Sequence, residues 1–208
     1  GRDAPPQSAP LFLQELQKQM EKNNPPPPDG ADGGWKIASV AGRYYAMDRD
    51  KRWERVQSAF DAIVKGEGEK AKTADEAIHN SYAQNITDEF IKPTVLEGAE
   101  GVKVGDAVIF FNYRPDRARQ LTELFLNSKI KNLFFASMTE YDKLFKVDVA
   151  FESQVVEMPI AKIISDAGKK QLHIAESEKY AHVTYFLNGG SEKEFSGEDR
   201  ILVPSSKV

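Results

Sequence analysis

The junction around Arg114 constrains this chain more than any other segment: the apolar run Ala107 to Tyr113 reaches Arg114 and passes at once into Pro115 and Asp116. Val108, Ile109, Phe110 and Phe111 in succession suit a central strand. Pro115 suits the first position of a helix, where a missing N–H costs nothing, and Asp116 in the first turn favours the positive end of the helix dipole. The pattern predicts a helix through about Asn127. A strand that feeds directly into a helix belongs to an α/β fold.

The same alternation recurs along the chain. Leu11, Leu13, Leu16 and Met20 fall near helical spacing between Ser8 and Glu21, with Ser8 placed to cap and Pro10 in the first turn. Trp35 to Val40 reads as a buried strand broken at Ala41-Gly42. Trp53, Val56, Phe60, Ile63 and Val64 mark an amphipathic helix that Gly66-Glu67-Gly68 ends. Thr73 to Asn85 reads as a helix, Thr73 capping and Glu76 in the reciprocal position. Leu133 to Ser137, Gln171 to Ala175 and His182 to Leu187 read as further strands, and Ile160 to Ala167 as a helix stopped by Gly168. The expected fold class is α/β: a three-layer domain with a mostly parallel or mixed sheet and helices on both faces. The run Pro25 to Gly34, with four successive prolines, fits neither helix nor central strand and reads as an exposed loop insertion, or as a polyproline ligand for a partner.

Composition narrows the chemistry. The 208 residues carry a formal net charge of -4, which disfavours nucleic acid and anionic membrane as partners, so any anion must be met by a local cluster. No cysteine is present, which excludes a disulfide framework and a thiol nucleophile and suits a cytoplasmic setting. His79, His173 and His182 show no metal-ligand spacing, and there is no Walker loop, Rossmann glycine fingerprint or nucleophile elbow. Apolar runs are far shorter than the roughly 20 residues a membrane span requires. Gly1-Arg2-Asp3 lacks an initiator Met and reads as the interior of a longer protein, cut at both ends.

Guanidinium groups at a helix start point to anion binding, because free backbone N–H groups and the dipole already favour negative charge there. Arg114 and Arg117 are three apart and reach one side of that start; Arg119 lies about 200° further round than Arg117 and should point elsewhere. Salt bridging to Asp116 is the competing reading of the same residues. Arg43 and Arg49 follow the Trp35 to Val40 strand and could close on an acidic ligand from the other side. Arg2 and Asp3 place a cation beside a carboxylate able to exchange protons.

Several long stretches together resemble the cofactor-independent phosphoglycerate mutases. They are G-R-D at Gly1 to Asp3, G-R-Y-Y-A-M-D-R-D at Gly42 to Asp50 with R-W-E-R-V after it, and F-N-Y-R-P-D-R-A-R at Phe111 to Arg119. Further matches are A-E-S-E-K-Y-A-H-V-T at Ala175 to Thr184, N-G-G at Asn188 to Gly190, and G-E-D-R-I-L-V-P-S-S-K-V at Gly197 to Val208.

The resemblance implies an inserted substrate domain, with 1–200 binding phosphoglycerate and 201–208 forming a hinge to a phosphatase-like domain outside this chain. It implies that Arg2, Arg43, Arg49, Arg114 and Arg117 hold the carboxylate and phosphate of 2- or 3-phosphoglycerate. Asp3 would move protons to and from the hydroxyls, and Lys207 would face the transferring phosphate. The other domain would carry a phosphorylated serine and two divalent metals, Mn or Mg, with no metal held by this chain and no need for 2,3-bisphosphoglycerate. The whole protein is then an isomerase of glycolysis and gluconeogenesis, monomeric and cytoplasmic, and this chain alone is inactive. The rivals are an inserted domain of another metal-dependent phosphomutase or phosphatase, and a noncatalytic interaction module that uses the proline run.

Overall fold

The computed structural model describes residues 4–23, 34–152 and 156–205. Arg2, Asp3, Lys207 and the segment 24–33 lie outside the described residues, and with them most of the proline run. The chain divides into two compact units, Gly1–Glu152 and Ser153–Val208.

In the first unit the order is α1 (Ala9–Asn23), β1 (Ser39–Val40), α2 (Arg43–Ala46), α3 (Trp53–Val64), β2 (Glu69–Ala71), α4 (Ala74–Ala83), a 3-10 turn (Asp88–Phe90), β3 (Thr94–Leu96), β4 (Ala107–Phe110), α5 (Pro115–Asn127), β5 (Phe134–Thr139) and β6 (Asp148–Phe151). Among the described residues of this unit the strands form two small sheets. In the mixed sheet β1-β3-β2, β1 runs antiparallel and β2 parallel to the central β3. In the sheet β4-β5-β6 all strands are parallel, with Ala107 opposite Phe134 and Ala136 opposite Asp148. Parallel neighbours require crossovers, and α5 is the crossover between β4 and β5.

Two apolar clusters hold this unit. Val56 and Phe60 of α3 meet Leu121 and Phe125 of α5 and Phe135 of β5, and the Phe60 and Phe125 rings pack edge to face at 5.2 Å. Leu13 of α1, Ala74, Ala77 and Ile78 of α4, Ile91 and Leu96 form the other. The three-and-four spacing read along α3 is the buried face of that helix.

Several local expectations change. Ser8 does not cap α1: its hydroxyl donates to the Pro5 carbonyl, and the Asp88 carboxylate takes the Ser8 and Ala9 amides at 2.9 and 3.0 Å. Thr73 does cap α4, its Oγ1 accepting from the Glu76 amide at 3.2 Å, while the Glu76 carboxylate accepts the Lys72 amide at 2.7 Å. Of the strand expected over Trp35 to Val40 only Ser39–Val40 is strand, with the Ala38 carbonyl accepting the Leu96 amide at 2.9 Å beside it, because the partner β3 is three residues long and Trp35 is exposed. Glu69–Ala71, Thr94–Leu96, Asp148–Phe151 and Glu198–Val203 are strands too short or too charged to show a period.

The second unit contains α6 (Ile160–Asp166), β7 (Gln171–Glu176), a π-helical turn (His182–Phe186) and β8 (Glu198–Val203), with β7 and β8 parallel. His182 to Leu187 was expected as a strand from its β-branched and aromatic residues. Helical geometry wins because the Thr184 hydroxyl donates to the Tyr180 carbonyl one turn back and His182 stacks on Phe186 at 5.7 Å. Glu198, buried, accepts from Asn188, Arg200 and the Phe195 amide and organises the interior of this unit. The α/β class with parallel and mixed sheets flanked by helices is the one expected.

Candidate functional site

The site is assembled at the carboxyl end of β4. After Phe110 the chain leaves the sheet, passes through Phe111 to Arg114 and enters α5 at Pro115, in the first helical position, with Arg114 extended as the cap residue. The Arg114 side chain makes no capping bond to that helix end. The strand end, the helix start and two arginines therefore coincide, as the α/β rule for ligand positions anticipates.

Asp116 organises the guanidinium groups. Arg114 meets it in a two-bond fork, Nε to Oδ1 at 3.1 Å and Nη2 to Oδ2 at 2.9 Å, and Arg49 Nη1 reaches Oδ2 at 3.0 Å from a loop 67 residues earlier. Burial alone would raise the Asp116 carboxyl, but the hydrogen bonds from Arg114 and Arg49 outweigh it and hold the group below the usual carboxylate range. Salt bridging to Asp116 and convergence of arginines are thus one structure.

Arg117 occupies the centre. Its Nη1 donates to the Met47 carbonyl at 2.9 Å, and its buried Nε has no hydrogen-bond partner. Burial, followed by the charges of Arg49 and Arg43, pushes its pKa down. A guanidinium does not give up its proton near neutral pH, so Arg117 stays charged in a buried place to which Arg49 and Arg43 add positive potential that an anion would relieve. Arg119 points away, its Nε bonded to the Tyr141 carbonyl at 2.6 Å. Arg43, Arg49, Arg114 and Arg117 are brought together; Arg2, Asp3 and Lys207 cannot be placed.

The loop that carries Arg49 is held from beneath. Asp48 is buried, and its Oδ2 accepts the amides of Asp50 and Arg52, both at 3.0 Å. On the other side Arg55 lies over the Tyr44 ring at 3.7 Å. Gly42 lets α2 approach the 3-10 turn, since a Cβ there would stand 2.3 Å from the Glu89 carbonyl oxygen. Asp48 and Gly42 fall within the matched stretch, but nothing in their spacing announces these roles.

Among the described residues no three His, Asp or Glu side chains converge as metal ligands, so the residues in hand do not fit a divalent ion and no step is assigned to one here. No helix among them is long and apolar enough to cross a membrane.

Comparison with known proteins gives a consistent result. Residues 1–143 match the family model described as BPG-independent PGAM N-terminus. The whole chain aligns with 2,3-bisphosphoglycerate-independent phosphoglycerate mutases of Thermomicrobium roseum at 50% identity over 223 residues, and of Symbiobacterium thermophilum at 47% over 219 residues. In each case it spans 41% of the relative's length. A crystal structure of Leishmania mexicana phosphoglycerate mutase at low cobalt concentration superposes with a TM-score of 0.80 at 26% identity, covering 100% of this chain and 41% of that one. From the matched strand-to-helix junction and these relatives together, the chain belongs to the BPG-independent PGAM N-terminus family.

Proposed function

We propose that this chain is the phosphoglycerate-gripping part of a phosphoglycerate mutase that interconverts 2- and 3-phosphoglycerate. The observation that carries the proposal is the convergence of Arg43, Arg49, Arg114 and Arg117 on the open start of α5, with Asp116 as an internal counterion. A three-carbon acid bearing a carboxylate and a phosphate offers little apolar area, so recognition must come from charge-assisted hydrogen bonds.

In this reading the substrate O–P bond breaks as a serine of the remaining polypeptide takes the phosphoryl group, and the freed hydroxyl gains a proton. The other hydroxyl then loses a proton and takes the phosphoryl group back. Asp3 carries those protons, Arg2 joins the anion contacts, and Lys207 faces the phosphate in transit, near the return to the remaining domain. Two divalent metals, Mn or Mg, belong to that remainder, where they would neutralise charge on the phosphoryl oxygens. The arginines of this chain bind and orient the acid and hold it while the two hydroxyls exchange places. We place the protein in the cytoplasm, as a monomer, in glycolysis and gluconeogenesis.

The test is a chemical-shift titration of the chain with 3-phosphoglycerate. Arg117→Ala should weaken binding about tenfold or more, as loss of a charge-assisted bond implies, and Arg119→Ala much less. Equal affinity for Arg117→Ala and the unaltered chain would overturn the proposal. The chain alone should show no mutase turnover with or without Mn.

A further inference from the structure

The loop from Phe110 to Arg114 presents a run of backbone carbonyls at the end of the β4 ladder, and those of Phe110, Asn112, Tyr113 and Arg114 each find a side-chain donor. Tyr141, only 1% exposed, directs its hydroxyl at the Phe110 carbonyl at 2.7 Å and also at the Asn112 carbonyl. The Thr139 hydroxyl donates to the Tyr113 carbonyl at 2.9 Å, and Asn112 Nδ2 donates to the Arg114 carbonyl at 2.8 Å. The backbone carbonyl of Tyr141 accepts Arg119 Nε from α5. The Tyr141 ring meets Phe110 edge to face at 5.5 Å. One residue from beyond the end of β5 therefore ties together the end of β4 and the arginine loop through its hydroxyl, and the second turn of α5 through its backbone carbonyl.

A single O–H can be shared between two carbonyls only while both stay at a fixed distance from it, so the hydroxyl acts as a gauge of the loop's height above the sheet. Arg114 and Arg117 sit immediately beyond the gauged residues. Arg43 in α2 and Arg49 on the loop that Asp48 braces come from another part of the chain, and the bonds from Arg49 to Asp116 and from Arg117 to the Met47 carbonyl join the two parts at the height the gauge sets.

We infer that Tyr141 is a positioning residue for the anion site: its hydroxyl fixes the spacing of the two arginine pairs and thereby selects ligands with two anionic groups over those with one. This rests on the anion-binding reading above. Two-ended recognition is sensitive to spacing, and a single phosphate can be followed by whichever arginines are near.

The experiment compares 3-phosphoglycerate with inorganic phosphate in chemical-shift titrations of the 208-residue chain, for the unaltered protein, Tyr141→Phe, Thr139→Val and Arg117→Ala. Tyr141→Phe keeps the ring and removes one hydroxyl, and it should weaken 3-phosphoglycerate about fivefold, the worth of one net hydrogen bond, while inorganic phosphate changes less than twofold. Thr139→Val, at a less buried site, should move affinity in the same direction by less. Arg117→Ala should weaken both ligands. If Arg117→Ala weakens both while Tyr141→Phe and Thr139→Val leave the ratio of the two affinities unchanged, the positioning role is overturned and the anion site stands. If Arg117→Ala changes neither, the anion site itself is wrong and the inference falls with it.

Discussion

Replacing Asp116 by Asn separates the two things its carboxylate does, which are to hold Arg49 and Arg114 and to offset part of the positive charge around Arg117. The structural loss can be worked out from the contacts. Arg114 is 54% exposed, so its fork to Asp116 is worth no more than about 1 kcal/mol after screening. Arg49 and Asp116 are 16% and 18% exposed, and a charge-assisted bond of that kind contributes about 1.5 kcal/mol. Asn retains one acceptor oxygen, so a net loss of about 1–2 kcal/mol is expected, or a fall in Tm of about 3–6 °C. Phosphate should then stabilise the variant more than the unaltered protein, because the vacated counterion position is refilled by ligand; at ten times Kd the gain is about 1.4 kcal/mol. The pH dependence has a definite sign. The Asp116 carboxyl is held below its ordinary range, so its contribution is complete above the unfolded value near pH 4 and disappears as pH falls through the folded one. Thermal melts in phosphate-free buffer, repeated with phosphate and across pH, read all three effects. An unchanged Tm, or equal stabilisation of both proteins by phosphate, would refute the counterion role.

Gly42→Ala should lower Tm by the equivalent of about 1–3 kcal/mol and weaken 3-phosphoglycerate binding, because the new Cβ would meet backbone of Glu89 and Ile91 that cannot swing aside; a melt within 1 °C of the parent would contradict it. In the second unit, Glu198→Gln should cost about 3 kcal/mol by leaving Arg200 partly uncompensated in the interior, read as early loss of amide protection in β7 and β8. Burial raises the Glu198 carboxyl, but the Phe195 amide, Arg200 and Asn188 together hold it below its usual range, so its contribution is complete above the unfolded value and acid should mimic the substitution only as pH falls through the lowered folded one. Persistence of that protection in the variant would count against the network.

Legibility followed the distance over which each decision is made. The β4-to-α5 junction was readable because Pro115, Asp116 and the apolar run before them act within one turn of each other. The buried face of α3 was readable from its spacing, and Thr73 from its own identity. Arg119 was separated from Arg117 by helical angle alone, and the structure places it on Tyr141. What sequence could not supply lies across the chain. Nothing local to Tyr141 says that its hydroxyl will meet carbonyls 29 and 31 residues earlier, and nothing near Met47 marks its carbonyl as the acceptor for Arg117. The turn at His182–Phe186 was misread because β-branched and aromatic residues favour strands only where a pleated neighbour exists to pack against.

The cap on α1 has a consequence for the order in which the molecule comes together. Its first amides are satisfied by a carboxylate 80 residues downstream, and Leu13 is the only buried residue of the helix. Closing a loop of that length costs about 4 kcal/mol of chain entropy, whereas a cap returns about 1 kcal/mol. Helix α1 therefore docks late, after the segment around Asp88 is already in place. Refolding kinetics should show it: Asp88→Asn would leave the folding rate unchanged and quicken unfolding, the signature of a contact absent from the transition state. A slowed folding arm would instead make this long-range tie an organiser of the nucleus.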